Sequence, residues 1–311
     1  MRNLDQSRPG TLHLRHDGIA PMQRPATRSQ YAARIDKVVA YLSDRLDQPL
    51  TLDRLAAVGH FSPHHFHRIY RGMMGETVAE TLRRLRLHRA AVELLHGSLT
   101  LDAVARRCGY GSSAAFGRAF ALAYGLPPGE FRRRQGSAQP PPCPFANQED
   151  TPMYEAKIER QPAIAVAALR HHGPYHDIGQ AFGRLGAWAA GRGLDPVQAR
   201  SFGLYYDDPE SKPASELVAD ACIQVEETFA GDGEFERRTI AGGRYAAVEF
   251  VGPYAELERP YRWLFGEWLP ASGEEAADAP VVEEYLNDPQ SLPPAEWRTA
   301  IRLPLRGDAA P

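Results

Sequence analysis

At 311 residues, 43% hydrophobic and 24% charged, the chain has room for two cored domains and the make-up of a globular protein, not a fibrous or disordered one. No run approaches 18 successive apolar residues, which argues against a membrane-spanning helix, and the polar start MRNLDQSRPGTLHLRHDG lacks the apolar core of a secretory signal. The formal net charge of −3 conceals two unlike halves: residues 31–135 carry 16 Lys and Arg against 9 Asp and Glu, whereas residues 151–311 carry 15 against 26.

Residues 1–30 are rich in Arg, Pro, Gln and Ser without periodicity and are expected to form a disordered tail. Ile35, Val38, Val39 and Leu42 then recur at helical spacing, predicting a first supporting helix over 31–46. The next stretch contains one pattern written twice. TLDRLAAVGHFSPHHFHRIYRGMMG (51–75) and TLDAVARRCGYGSSAAFGRAFALAYG (100–125) share Leu52/Leu101, Ala56/Ala105, Ser62/Ser112, Phe66/Phe116, Arg68/Arg118 and Gly75/Gly125. Each copy reads as helix, short turn, helix. Thr51 and Thr100 are expected to cap the first helix of each copy, and Ser62 and Ser112 the second, with Pro63 at a first helical position. Leu52, Leu55 and Ala56, like Leu101, Val104 and Ala105, mark inner faces, as do Phe66, Ile69 and Tyr70. His64, His67 and Arg68 in one copy, and Ser113, Ala114 and Arg118 in the other, are left facing outward or partly so. Such a face is what a recognition helix offers to the major groove. Between the copies, Thr77 to Glu80 forms a capping box opening a helix to about His96. At about 20 residues it spans roughly 30 Å, close to one turn of duplex DNA.

SPHHFHRIYRGMMGET and CGYGSSAAFGRAFALAYGLPPGEFRR, with Pro127 closing the second unit, carry a specific resemblance. Residues 31–135 resemble the tandem helix-turn-helix DNA-binding domain of the AraC/XylS family of bacterial transcription regulators. The resemblance implies double-stranded DNA as a partner, read by His64, His67, Arg68, Ser113, Ala114 and Arg118, with RNA polymerase a further candidate partner. One departure is His60, where the family often has glycine; a side chain there is strained if the turn needs positive φ.

The Pro-rich GSAQPPPCPFANQEDTP (136–152) reads as a linker. Beyond it a second repeat appears: HHGPYHDIGQAFGRLGAW (171–188) parallels FVGPYAELERPYRWLFGEW (250–268), and LYYDDP (204–209) parallels EYLNDP (284–289). Two copies of strand, Gly-Pro-Tyr turn, helix and strand imply an α+β domain of two pseudo-twofold-related repeats. The paired turns and VVEEYLNDP resemble the GyrI-like effector-binding domain, over about 153–306. That resemblance implies a small-molecule effector, hydrophobic or cationic, in a cleft between the repeats.

Glu283 is the candidate anchor. It shares a strand face with Tyr285 while Glu284 points the other way, and the Asp-Pro alignment makes Tyr205 the counterpart of Tyr285 and Gly203 that of Glu283. With Tyr175, Trp188, Tyr254, Trp263 and Trp268 near the Gly-Pro-Tyr turns as candidate walls, this predicts an aromatic pocket whose carboxylate selects a cation. The resemblance leaves a second reading open, in which Glu283 activates water and Tyr285 or Tyr205 donates a proton to a strained electrophile. A topoisomerase-inhibitor-like binding protein is a third. His60, His64, His65 and His67 have helical spacing, but no carboxylate or cysteine accompanies them, so they are read as DNA-facing and no metal or cofactor is expected. Three distant cysteines, Cys108, Cys143 and Cys222, fit a reducing cytoplasm, and the chain is expected to be a cytoplasmic regulator, not an enzyme.

Overall fold

The computed structural model describes residues 25–134, 154–194 and 199–307; the expected tail before residue 25 and the linker at 136–152 lie outside them. The first part is all helical: α1 (Pro25–Ser43), α2 (Leu52–Gly59), α3 (Phe66–Met74), α4 (Val78–His96), α5 (Leu101–Arg107), α6 (Ser113–Tyr124) and α7 (Pro128–Arg133). α1 begins six residues earlier than its hydrophobic spacing alone indicates.

Capping follows the sequence at three of the four expected sites. Thr51, Thr100 and Ser112 each accept a backbone N–H from the first turn of α2, α5 and α6, and Thr77 and Glu80 complete both arms of the box that opens α4. Ser62 differs. Residues 63–65 form a turn before α3 starts at Phe66, and the Ser62 hydroxyl accepts the His64 N–H of that turn at 3.3 Å while donating to Asp278 Oδ1 at 2.8 Å. The expected inner residues are buried except Val39 and Leu52, which are half-buried, and Leu101, which stays exposed at the start of α5. α3 is tied to α4 by a buried chain in which Tyr70 donates to Thr81, Thr81 donates to Glu76, and Arg84 forks onto the Glu76 carboxylate.

The second part is an eight-stranded antiparallel sheet with helices. Its elements are β1 (Ala156–Gln161), β2 (Ile164–His172), α8 (Gly179–Gly191), β3 (Ser201–Tyr205), β4 (Val218–Gln224), β5 (Glu236–Ile240), β6 (Gly243–Val251), α9 (Glu258–Trp263), a π turn (Leu264–Trp268), α10 (Leu269–Ser272), β7 (Val281–Tyr285) and β8 (Arg298–Pro304). The strand order β1-β6-β8-β7-β3-β4-β2-β5 places the pseudo-twofold between β7 and β3, where Gly203 is in register with Glu283. The two Asp-Pro turns are equivalent in detail. Asp207 and Asn287 accept the backbone N–H of Val218 and Arg298, and Asp208 and Asp288 accept N–H groups two residues on. The strand that leads each repeat is exchanged: β1 precedes β2 but pairs with β6, and β5 precedes β6 but pairs with β2.

The cores do not divide as the sequence does. One continuous core runs from Tyr31, Val38, Leu55 and Phe66 of the first helices into Leu264, Phe265, Val281 and Ile301 of the sheet part. The second helix-turn-helix keeps a separate core built on Leu94, Val104, Phe116, Phe120 and Phe131. α3 lies so close to the π turn that a Cβ on Gly72 would sit 2.6 Å from the Gly266 Cα, and one on Gly266 would sit 2.9 Å from the Gly72 Cα. Among the described residues no helix is long and apolar enough to cross a membrane.

His60 adopts φ 55° and ψ 37°, so the turn does need positive φ, and Arg34 holds it by donating to the carbonyls of Gly59 and His60. A left-handed side-chain residue costs roughly 1–2 kcal/mol, partly offset in a glycine variant by greater unfolded-chain entropy. His60→Gly is therefore expected to leave stability unchanged or raise it by up to about 1 kcal/mol, read by urea denaturation; a clear loss would show that the imidazole contributes contacts of its own.

A carboxylate pocket beneath the first helix-turn-helix

Strand alternation sends Glu283 and Tyr285 to the face of β7 that carries the helices, and Glu284 to the other. Glu284 there accepts from Arg200 Nε at 2.6 Å and pairs with Arg302. Glu283 is buried at the floor of a cavity of about 1070 Å³. Tyr261 on α9 donates to its Oε1 at 2.7 Å and Tyr285 to its Oε2 at 3.2 Å, while the Tyr205 and Tyr285 hydroxyls meet at 2.7 Å. Gly203 opposite makes this possible, since a Cβ there would come within 2.8 Å of the Tyr285 hydroxyl.

Burial pushes the Glu283 carboxyl up to about 7, against the Tyr261 and Tyr285 hydrogen bonds and the Arg68 charge, which pull it down. Burial also holds the Tyr205, Tyr261 and Tyr285 phenols well above their ordinary range, and Tyr254 is pushed up to about 12. The site thus has one group that titrates near neutrality, ringed by neutral hydroxyls. Arranged this way, it can take a cation against a carboxylate and ring faces, or hold a water beside a base.

Three expected walls, Trp188, Trp263 and Trp268, are not in the pocket. Trp188 stacks on Phe235 at 4.8 Å and donates to Asp232, and Trp263 is buried against Tyr154. Trp268 packs, partly buried, against the core shared with the first helices. The expected Tyr175 and Tyr254 do line the cavity, and Tyr261 and Trp297, outside that expectation, join them. Of these, Tyr261 had a legible signal: Tyr254, Leu257 and Tyr261 share one helical face after the Gly-Pro-Tyr turn.

The second correction concerns α3. His64, His67 and Arg68, expected to face outward, face the sheet part. His67 Nδ1 lies 2.7 Å from Asp208 Oδ2, both side chains buried, and His64 Nδ1 lies 3.1 Å from the Tyr206 carbonyl. Burial raises the Asp208 carboxyl, but the His67 hydrogen bond and the Arg68 charge outweigh it and hold the group below its ordinary value. Arg68 Nη2 donates to the Asp207 carbonyl at 2.7 Å, and its guanidinium sits 4.7 Å from the centre of the Tyr261 ring, forming part of the pocket wall. His65 is fully buried against Phe265, and burial, with Arg68 and His64 adding to it, pushes its imidazole down to about 3. Among the described residues no group of His, Cys, Asp and Glu is arranged to hold a metal. In α6, by contrast, Ser113, Ala114 and Arg118 are exposed on the outer face, as their spacing indicates.

Residues 154–306 match the model of the GyrI-like small molecule binding domain, and residues 55–134 that of a helix-turn-helix domain. A DNA gyrase inhibitor of Edwardsiella piscicida is 34% identical over 157 residues, covering 49% of this chain and 98% of that protein. The chain belongs to the GyrI-like family and carries a helix-turn-helix domain ahead of that half. A probable transcriptional regulator YgiV of Escherichia coli K12 is 29% identical over 147 residues, covering 46% of this chain and 91% of that one. The crystal structure of the EcmrR C-terminal domain superposes with a TM-score of 0.43 at 20% identity, over 50% of this chain and 98% of that one. This GyrI-like chain therefore has the layout of a DNA-binding transcription regulator with a small-molecule-binding half.

Tyr261→Phe removes the closer of the two hydroxyl donors that favour ionised Glu283. Its carboxyl is expected to titrate still further above 7, followed by 13C NMR of labelled glutamate. An unmoved titration would mean that a water or another hydroxyl takes the phenol's place.

Proposed function

We propose that this chain regulates transcription in the cytoplasm in response to a flat, aromatic cation, which binds between Glu283 and the rings of Tyr205, Tyr254, Tyr261 and Tyr285. The observation that carries the reading is the buried Glu283 carboxylate at the floor of a cavity walled by tyrosine rings. An isolated carboxylate is costly to bury, so a cation that pairs with it recovers interaction that water cannot supply there. Ring faces favour the same charge. The exposed outer face of α6, with Arg118, Ser113 and Ala114, serves the DNA side, in keeping with the basic charge of residues 31–135. RNA polymerase is the partner through which promoter occupancy would be read out.

Rhodamine 6G and fluorescein share a ring skeleton and carry opposite charge. Fluorescence polarisation with the full chain is expected to register binding of the cationic dye and not of the anionic one, and Glu283→Gln is expected to abolish the preference. Below pH 7 the carboxyl is neutral and above it negative, so affinity for the cation rises with pH, by about ten-fold between pH 6 and pH 8. Arg68 is the other charged group facing Glu283, and the four phenols stay neutral across that window. Equal binding of both dyes at both pH values would remove the cation reading.

On the DNA side, Arg118→Ala is expected to weaken a specific duplex by about 1–3 kcal/mol if the guanidinium reads a guanine edge. Footprinting over a salt series separates that loss from a uniform phosphate effect.

One observation favours a second reading. A carboxyl that titrates near 7 beside a phenol suits general-base hydrolysis of an electrophile, with Glu283 activating water and Tyr285 or Tyr205 donating the proton. Turnover of a simple epoxide by the full chain, lost in Glu283→Gln, is the result that would move the function to this class.

A further inference from the structure

The groups that α3 would bring to DNA are engaged by the acidic half of the same chain. Along one helix face, Ser62 meets Asp278, His67 meets buried Asp208, Arg68 meets the Asp207 carbonyl, and Arg71 meets Glu210 and Glu258. An array of carboxylates and carbonyls thus stands against α3 where a recognition helix would meet phosphates and base edges. Among the described residues, α6 of the second unit has no such cover. The two units also differ in core: the first shares one with the sheet part, and the second does not.

Arg68 has a second role in this arrangement. Its guanidinium lies over the Tyr261 ring, the same phenol that hydrogen-bonds Glu283, and its Nη1 is buried without a hydrogen-bond partner. A guanidinium held over an aromatic face beside a buried carboxylate is the chemistry that a cationic ligand would use.

We infer that Arg68 is a built-in competitor for the pocket's cation seat, and that the acidic half holds α3 off DNA until a cationic ligand displaces Arg68. This rests on α3 being a DNA-facing helix and on the pocket taking a cation. In the closed arrangement only α6 is presented to a duplex, so one major groove is gripped. Displacing Arg68 removes its attraction to Tyr261 and Glu283 at the pocket end of the seam and leaves its partners to bind the ligand instead. The freed α3 then adds a second groove and further phosphate contacts. The ligand's binding to the open form and α3's binding to DNA favour the same state, so each strengthens the other.

The seam can be opened without any ligand. Gly266→Ala places a methyl 2.9 to 3.0 Å from the Gly72 backbone, so it wedges α3 away from the sheet side. Asp208→Asn weakens the seam by a different route. With the full chain, footprinting and titration of a duplex selected by the wild type are expected to show protection growing from one groove to two in both variants. Affinity should rise about ten-fold or more, with a steeper salt dependence. Folded variants that keep the wild-type footprint and affinity would overturn the gate, whatever the dyes do.

A lock gives the converse. In Ser62→Cys/Asp278→Cys, the oxidised protein should protect one groove with or without rhodamine 6G, and reduction should restore the response. Two-groove protection by the oxidised form would overturn the proposal. For the pocket end, Arg68→Ala should bind rhodamine 6G several-fold more tightly than the wild type, because its competitor is gone. Unchanged or weaker dye binding would make Arg68 an ordinary wall residue and remove the competition. If neither protein binds the dye while the wedge variants gain a groove, the gate stands and the cation reading of the pocket fails.

Discussion

His67 on Asp208 and Arg68 on the Asp207 carbonyl and Tyr261 ring hold the architecture together at its most consequential point. A buried hydrogen-bonded pair that includes a carboxylate is rarely a net source of stability, because desolvation consumes most of the attraction. What such a pair does is forbid alternatives: separating one partner without a replacement leaves a buried charge, at a cost of several kcal/mol. The seam is therefore a switchable contact whose open form requires substitutes for what α3 supplies. Gly72 and Gly266 set its tightness, since backbone meets backbone there with no side chain to yield.

The pocket exists because the pseudo-twofold is broken where the two repeats meet. Equivalent Asp-Pro turns and equivalent tyrosines, Tyr205 and Tyr285, come from the repeat itself. The register then sets Gly203 against Glu283, so one repeat leaves space and the other fills it with a carboxylate. A symmetric pair of carboxylates at that distance would repel, and one would take up a proton. A symmetric pair of glycines would leave only an apolar slot. The exchange of β1 and β5 between repeats knits the halves into one sheet and fixes the axis at the β3–β7 pairing.

Much of this was legible residue by residue. Thr51, Thr100, Ser112 and the Thr77–Glu80 box announced helix starts through local hydrogen bonding, which needs no tertiary context. Strand alternation placed Glu283 and Glu284 on opposite faces, and the Asp-Pro alignment paired Tyr205 with Tyr285. The readings that failed share a cause. Trp188 and Trp263 are large rings on helices whose rotation about the axis is set by what they pack against, so proximity to the Gly-Pro-Tyr turns did not make them pocket walls. His64, His67 and Arg68 looked like solvent-facing polar positions because periodicity separates apolar from polar and says nothing of a polar partner elsewhere in the chain.

Local pattern alone specifies the two helix-turn-helix units, the duplicated α+β half, the basic and acidic division and the single carboxylate between tyrosines, because each is encoded in periodicity or in a repeat. The assembled fold alone settles that the first unit shares its core with the acidic half, that Ser62 also reaches Asp278, and that Arg68 belongs to the pocket wall. Those outcomes depend on groups some 140 to 220 residues apart finding complementary charge and shape. A short-range pattern carries no record of such a meeting.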